Sequence, residues 1–199
     1  TDVIQVAVLV FGGFATSYVA LNWISGGEGA FAGLGTLLDK VPDHFEMILS
    51  VDNAHYKDLP GIAVLIGGLW VTNLYYWSFN QYVIQRTFAA KSVKDAQTGL
   101  VFAGFLKLII PLIVVIPGIA AFYITQYDPA LLQSLQDQFG PMVLNNLPSE
   151  QTPDKAYPWV AQLLPVGIKG VVFAALAAAI VSSLASMLNS TATIFTMDI

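Results

Sequence analysis

Cysteine does not occur in the 199 residues, so neither a disulfide framework nor a thiolate metal site is possible. Histidine occurs twice, as His44 and His55, in one polar link. Without an HExxH spacing or a Ser-His-Asp set, these two make a poor case for an intramembrane metalloenzyme, and the chain is expected not to be an enzyme. Charge is scarce, with Asp, Glu, Lys and Arg at 11% of residues and a net charge of −5. No basic cluster exists to hold a phosphate backbone, so no nucleic-acid partner is expected. A Gly-rich phosphate loop, a tandem repeat, a low-complexity segment and a soluble domain are likewise absent from the sequence.

Apolar residues fill the space that charge leaves. They make up 56% of the chain, and the mean hydropathy is +0.67. Val3–Gly27, Leu59–Gln85, Ala96–Tyr127 and Gly170–Met197 are free of charge apart from Lys107, and each is long enough to cross a bilayer. The expected spans are approximately 3–25, 60–86, 96–126 and 164–197. Such a chain is all-α, a polytopic helical membrane protein whose partners include the lipid bilayer. The chain opens at Thr1-Asp2 into one span and stops at Asp198-Ile199 after another. It therefore reads as a fragment, the middle of a longer chain that carries the remaining transmembrane helices.

Arg86, Lys91 and Lys94 sit in the short link between the second and third spans, while acids dominate the two long links. The positive-inside rule makes the Arg86–Lys94 link cytoplasmic and the long links external. Phe31–Leu38, Phe45–Leu49 and Ala130–Phe139 are expected to form short helices in those external links. Gly12, Gly13 and Ala15 form a small face for close helix contact, and Gly26-Gly27 ends the first span. In the second span, Gly61, Gly67 and Gly68 followed by a polar run suggest a discontinuous helix, which at that depth must line protein or a water-filled cavity.

Lys107 is the most informative residue. It is the only charge between Asp95 and Asp128. In a helix it lies about 15 Å from the cytoplasmic end, too deep to snorkel. A charge there costs on the order of 3 kcal/mol, so Lys107 either faces a polar cavity or pairs with a carboxylate outside these spans. No Asp or Glu falls in any of the four spans. Asn73, Tyr76 and Trp77 share one helix face at i, i+3, i+4. The aromatic pair is either a flat surface for a ring-shaped solute or an interfacial belt. Asn73 lies about 20 Å from the Pro60 end, which favours the cavity. Ala179, Ser182 and Ser183 repeat that spacing. They either present hard oxygens to a cation or bond back to their own helix as small packing residues, and the pattern by itself favours the second. Asp2 is either a helix cap or an attracting charge for a departing cation.

Several of these runs resemble the sodium/solute symporter family, and within it the sodium/glucose and sodium/galactose cotransporters. They are Asn73-Leu74-Tyr75-Tyr76-Trp77, Gln85-Arg86, Gly104-Phe105-Leu106-Lys107-Leu108, Pro117-Gly118, Ser182-Ser183-Leu184, Asn189-Ser190 and Phe195-Thr196-Met197-Asp198. The opening Thr1-Asp2-Val3-Ile4-Gln5 is similar to the start of that family's fifth core helix. The resemblance implies a LeuT-like fold of two inverted five-helix repeats, with these spans as core helices five to eight. It also implies that Asn73 and Lys107 hydrogen-bond sugar hydroxyls, and that Tyr76 stacks on the sugar with Trp77 beside it. Ala179, Ser182 and Ser183 would hold a sodium ion together with the first core helix, and Asp2 would lie on the sodium exit route. Both sites would be completed elsewhere in the full-length chain.

The expected function is sodium-coupled symport of a sugar, galactose or glucose, by alternating access in a bacterial inner membrane. The alternatives are the same fold carrying an amino acid, inositol or a vitamin, and a channel or solute sensor without coupled transport.

Overall fold

A computed structural model describes residues 2–53, 56–57, 61–145, 147–149 and 152–198, without the side chains of Asp2 and Asp198. His55 and Pro60 lie outside the described residues. The helices in chain order are α1 Asp2–Ile24, α2 Ala30–Lys40, α3 Gly61–Phe79, α4 Gln81–Phe88, α5 Val93–Lys107, α6 Ile116–Gln126, α7 Pro129–Phe139, α8 Ala156–Ala161 and α9 Val166–Asp198. Among the described residues, Val3–Ile24, Gly61–Phe79, Val93–Gln126 and Val166–Met197 are long and apolar enough to cross a membrane. The protein is thus an all-α, multi-pass membrane protein, an architecture consistent with part of a LeuT-like fold.

The chain divides into two compact units. One gathers residues 1–42 and 108–179, the other residues 43–107 and 180–199. In the first unit α1 ends as its glycines suggest. Gly27 N–H donates to Asn22 O at 2.9 Å and Gly26 N–H to Trp23 O at 3.1 Å, and Gly26 takes a φ of 67°. That left-handed pair of bonds closes a helix end and needs glycine. Upstream, Gly12 and Gly13 let neighbours approach. A Cβ on Gly12 would lie 2.6 Å from Val172 Cγ2, and one on Gly13 would lie 2.6 Å from Ile113 Cβ. Ala15 packs beside them on the Ala161–Leu164–Val172 cluster.

The core of this unit draws heavily on the links and on the helix ends that meet them. Leu37, Ile124, Leu135, Trp159, Val160 and Leu164 are buried. The Trp159 indole N–H donates to Val143 O at 2.8 Å, so the buried ring is satisfied. Water drives apolar burial outside the bilayer. Inside it, lipid tails are as apolar as leucine, and helices meet through close contact instead.

A proline shapes the start of α6. Residues Pro111–Val115 form a wide turn in which Ile116 N–H donates to Pro111 O. In that i+5 register the Leu112 carbonyl falls to Pro117, which has no N–H. Ser17 supplies the bond instead, donating to Leu112 O at 2.6 Å and also to Gly13 O at 3.0 Å.

In the second unit α3 is continuous across Gly67 and Gly68, which sit in a wide helical turn over Val64–Gly68. The discontinuity lies later. Asn80 is extended (φ −77°, ψ 106°), and its side chain caps α4 by accepting from Tyr82 N–H at 3.2 Å. Gly67 and Gly68 need no opening in the chain because wide turns keep backbone groups paired, whereas Asn80 favours a local side-chain bond over helix. In the links, α2 and α7 agree with the sequence reading, and Asp128 caps α7 through Leu131 N–H at 2.9 Å. The helix expected over Phe45–Leu49 is not formed. A single 3₁₀ turn, Pro42–Phe45, stands there, because Pro42 starts a turn and the short apolar run after it has no helical preference strong enough to extend it.

Gly13→Val should lower the apparent melting temperature of the full-length protein in detergent, since the added branch must displace Ile113. Overpacking of this kind costs about 1–3 kcal/mol. Gly35→Ala, with nothing within 4 Å of the added carbon, is the matched control and should leave the melting temperature unchanged or slightly raised.

Candidate functional site

Three of the four residues expected at a solute site come together in the second unit. The Lys107 ammonium lies 4.0 Å from the centre of the Tyr76 ring and 4.7 Å from the centre of the Trp77 ring. The rings meet edge to face, with centroids 5.3 Å apart and planes at 85°. Local backbone explains the arrangement. Tyr75–Phe79 is a wide turn closed by Asn80 N–H to Tyr75 O at 2.9 Å, and it turns both adjacent aromatics toward α5. Lys107 is the last residue of α5, and Pro111 supplies no amide hydrogen for its carbonyl.

Among the described residues no carboxylate lies within ion-pair reach of Lys107. The aromatic faces take that place. A cation over an aromatic face is worth about 0.5–1 kcal/mol where exposed, as Lys107 is in this structure, and about 2 kcal/mol when desolvated, so two faces go toward the cost, on the order of 3 kcal/mol, of a charge at membrane depth. A charge held this way keeps its N–H donors available to a neutral acceptor, which a carboxylate partner would have taken.

Asn73 stands one turn before the aromatic pair and donates through Nδ2 to Leu69 O of its own helix at 2.8 Å. The structure places it on the same helix as Tyr76 and Trp77. Trp77 also lines a cleft of about 290 Å³ between α4 and α5, shared with Val83, Arg86, Asp95 and Gly99.

Ser182 and Ser183 lie half-buried on α9, as does Ala179 one turn earlier. The Tyr82 hydroxyl donates to Ser183 Oγ at 3.4 Å. Arg86 donates to Ser186 Oγ at 2.6 Å, and Ser186 in turn donates to Ser182 O at 3.1 Å. Gln85 Nε2 donates to Ser186 O at 3.0 Å, and Asn189 Nδ2 donates to Gln85 Oε1 at 3.1 Å. These contacts on α4 were not singled out from the sequence. Their signal was there, since residues 82, 85 and 86 make a polar face on α4 that matches 183, 186 and 189 on α9. Asp2 opens α1, and its side chain lies outside the described residues.

A charged lysine on aromatic faces and a hydroxyl-rich helix, set in long apolar spans, mark a membrane protein with polar groups inside its spans. The model of the sodium:solute symporter family matches residues 1–199, and the chain belongs to that family, a family of transporters. It is 67% identical over 199 residues to a sodium/glucose cotransporter of Vibrio parahaemolyticus, an alignment covering 100% of this chain and 36% of the relative. It is 38% identical over 149 residues to the human sodium/myo-inositol cotransporter 2, covering 72% of this chain and 20% of that protein. A sodium/glucose cotransporter 4 of Danio rerio is 32% identical over 218 residues, covering 100% of the chain and 31% of the relative. The chain thus spans about a third or less of the length of these relatives.

If the two rings hold Lys107, Trp77→Leu should raise the rate at which an amine-reactive reagent acylates Lys107. The loss of one face, worth about 1 kcal/mol, corresponds to roughly a fivefold change. Trp77→Phe should fall between. The rates are read by peptide mass spectrometry on the full-length protein, and equal rates in all three would remove the rings from the account.

Proposed function

We propose that the protein to which this chain belongs is a sodium-coupled sugar symporter of the cell membrane, working by alternating access and carrying out transport rather than catalysis. The observation that carries the reading is the Lys107 ammonium over Tyr76 and Trp77. It combines a charged donor, with no carboxylate in reach among the described residues, with flat apolar surface. A sugar needs both, because its hydroxyls accept hydrogen bonds and its ring carbons pack on an aromatic face. Asn73 adds a neutral group with both donors and acceptors. On binding, a sugar hydroxyl takes one N–H of Lys107, and the ring settles against Tyr76 with Trp77 behind it.

Sodium is proposed to bind at the Ser182 and Ser183 hydroxyls and the Ala179 carbonyl, with further ligands from helices outside this chain. Asp2 is proposed to lie on the sodium exit route, its carboxylate drawing the ion toward the cytoplasm. A bacterial inner membrane suits the high identity to the Vibrio protein. A second reading, symport of a cyclic polyol such as inositol, is supported by the similarity to the human protein. Uptake of labelled galactose, glucose, myo-inositol and proline by the full-length protein in vesicles, with and without a sodium gradient, separates these. Sodium-independent uptake, or proline alone, would sink the sugar-symport reading.

Lys107→Ala should weaken sugar affinity by about ten- to a hundredfold, the worth of a charge-assisted hydrogen bond. Tyr76→Phe should be tolerated better than Tyr76→Ala, because stacking depends on the ring. Sodium affinity measured without sugar should survive the Lys107 change. Isothermal titration on purified variants checks all three, and unchanged sugar affinity in Lys107→Ala would move the pocket elsewhere.

Replacing Ser182 and Ser183 together by Ala should raise the sodium concentration needed for uptake severalfold or more, while the protein still folds, since a lost oxygen ligand has no substitute in a small site. Full sodium-driven uptake by the double variant would contradict the assignment.

A further inference from the structure

The short helix α4 joins two stretches that the proposed function uses. It follows Tyr76 and Trp77 through the single extended residue Asn80, and it bonds along α9 beside Ser182 and Ser183. A serine hydroxyl has one proton and two lone pairs. Tyr82 donates to Ser183 Oγ, occupying one lone pair and leaving the other for a second partner. Ser186 Oγ accepts from Arg86 and therefore directs its own proton at the Ser182 carbonyl. The Arg86 guanidinium also lies 5.9 Å from the Tyr82 ring centre, which ties the two side chains together. Gln85 bonds both Ser186 O and Asn189, holding α4 in register with α9.

We propose, resting on the sodium assignment above, that Tyr82 and Arg86 are positioning residues of the sodium site. Tyr82 orients the Ser183 hydroxyl so that its free lone pair faces the ion. Arg86, acting through Ser186, fixes the turn that carries Ser182. Neither residue touches sodium. Packing alone does not explain the pattern, because the contacts are made by hydroxyl, guanidinium and amide groups, each meeting a partner on the helix that carries the two serines.

The test uses the purified full-length protein in vesicles, with labelled galactose and varied sodium. Tyr82→Phe deletes one hydroxyl and keeps the ring beneath Arg86. It should raise the sodium concentration for half-maximal uptake by about two- to tenfold, the range expected for one neutral hydrogen bond. Galactose affinity measured without sodium, and the melting temperature without sodium, should not move. Arg86→Lys keeps the charge but loses the planar fork, and it should act in the same direction by a smaller factor. If Tyr82 works through Ser183, its effect should vanish when Ser183 is already Ala, which a double-mutant cycle reads directly. An unchanged sodium requirement in both single variants overturns the proposal. So does an undiminished effect of Tyr82→Phe in the Ser183→Ala background. A parent protein without sodium-dependent uptake would overturn the sodium assignment itself and this inference with it, whereas normal coupling in parent and variants alike would overturn this inference alone.

Discussion

A polar group inside a bilayer has no water to bond with, so the protein must supply its partner. That constraint organises this chain. Where Pro117 leaves the Leu112 carbonyl without an amide, Ser17 donates to it. Where the chain opens at Asn80, the Asn80 side chain caps the next helix. Thr16, Thr125, Thr191, Thr193 and Thr196 return their hydroxyls to carbonyls one turn back on their own helices. Each is a local answer to the same demand, and together they let polar residues occupy apolar spans.

Lys107 is the costliest instance, and its solution differs in kind. A carboxylate would have neutralised it and taken its donors. Two aromatic faces stabilise the charge and leave the donors to a ligand. In the proposed function the same rings that make the ammonium tolerable also make the surface for a sugar ring. On that proposal stability and binding draw on one set of contacts, and a solute exchanges one partner of the lysine for another without burial of a bare charge.

Each of the two units is held together internally by its own means. In the first, glycines on α1 admit Val172 and Ile113 at close range, and a core built around the links excludes water around Trp159. In the second, α4 meets α9 through hydroxyl, amide and guanidinium groups. Close packing of small residues gives a rigid contact. A row of hydrogen bonds between polar side chains fixes the register of the other.

Much was legible in the residues alone. Runs of uncharged residues locate the spans, because burying charge in lipid is costly whatever the fold. Gly26-Gly27 marks the end of α1, since few other residues adopt a positive φ. Lys107 calls for a stabilising partner by its depth, and the two rings provide it. Other features needed the fold. The break at Asn80 was expected nearer Gly67 and Gly68, because wide turns, which keep backbone groups paired, cannot be told from ordinary helix by composition. The turn at Pro42–Phe45 replaced an expected helix over Phe45–Leu49, since a short apolar run is indifferent to local structure until something packs on it. That Lys107 rests on Tyr76 and Trp77, and that Tyr82, Gln85 and Arg86 reach Ser183 and Ser186, are contacts between residues about 30 to 100 positions apart. Sequence spacing within one helix predicts which side chains share a face. Only the tertiary structure decides which face it meets.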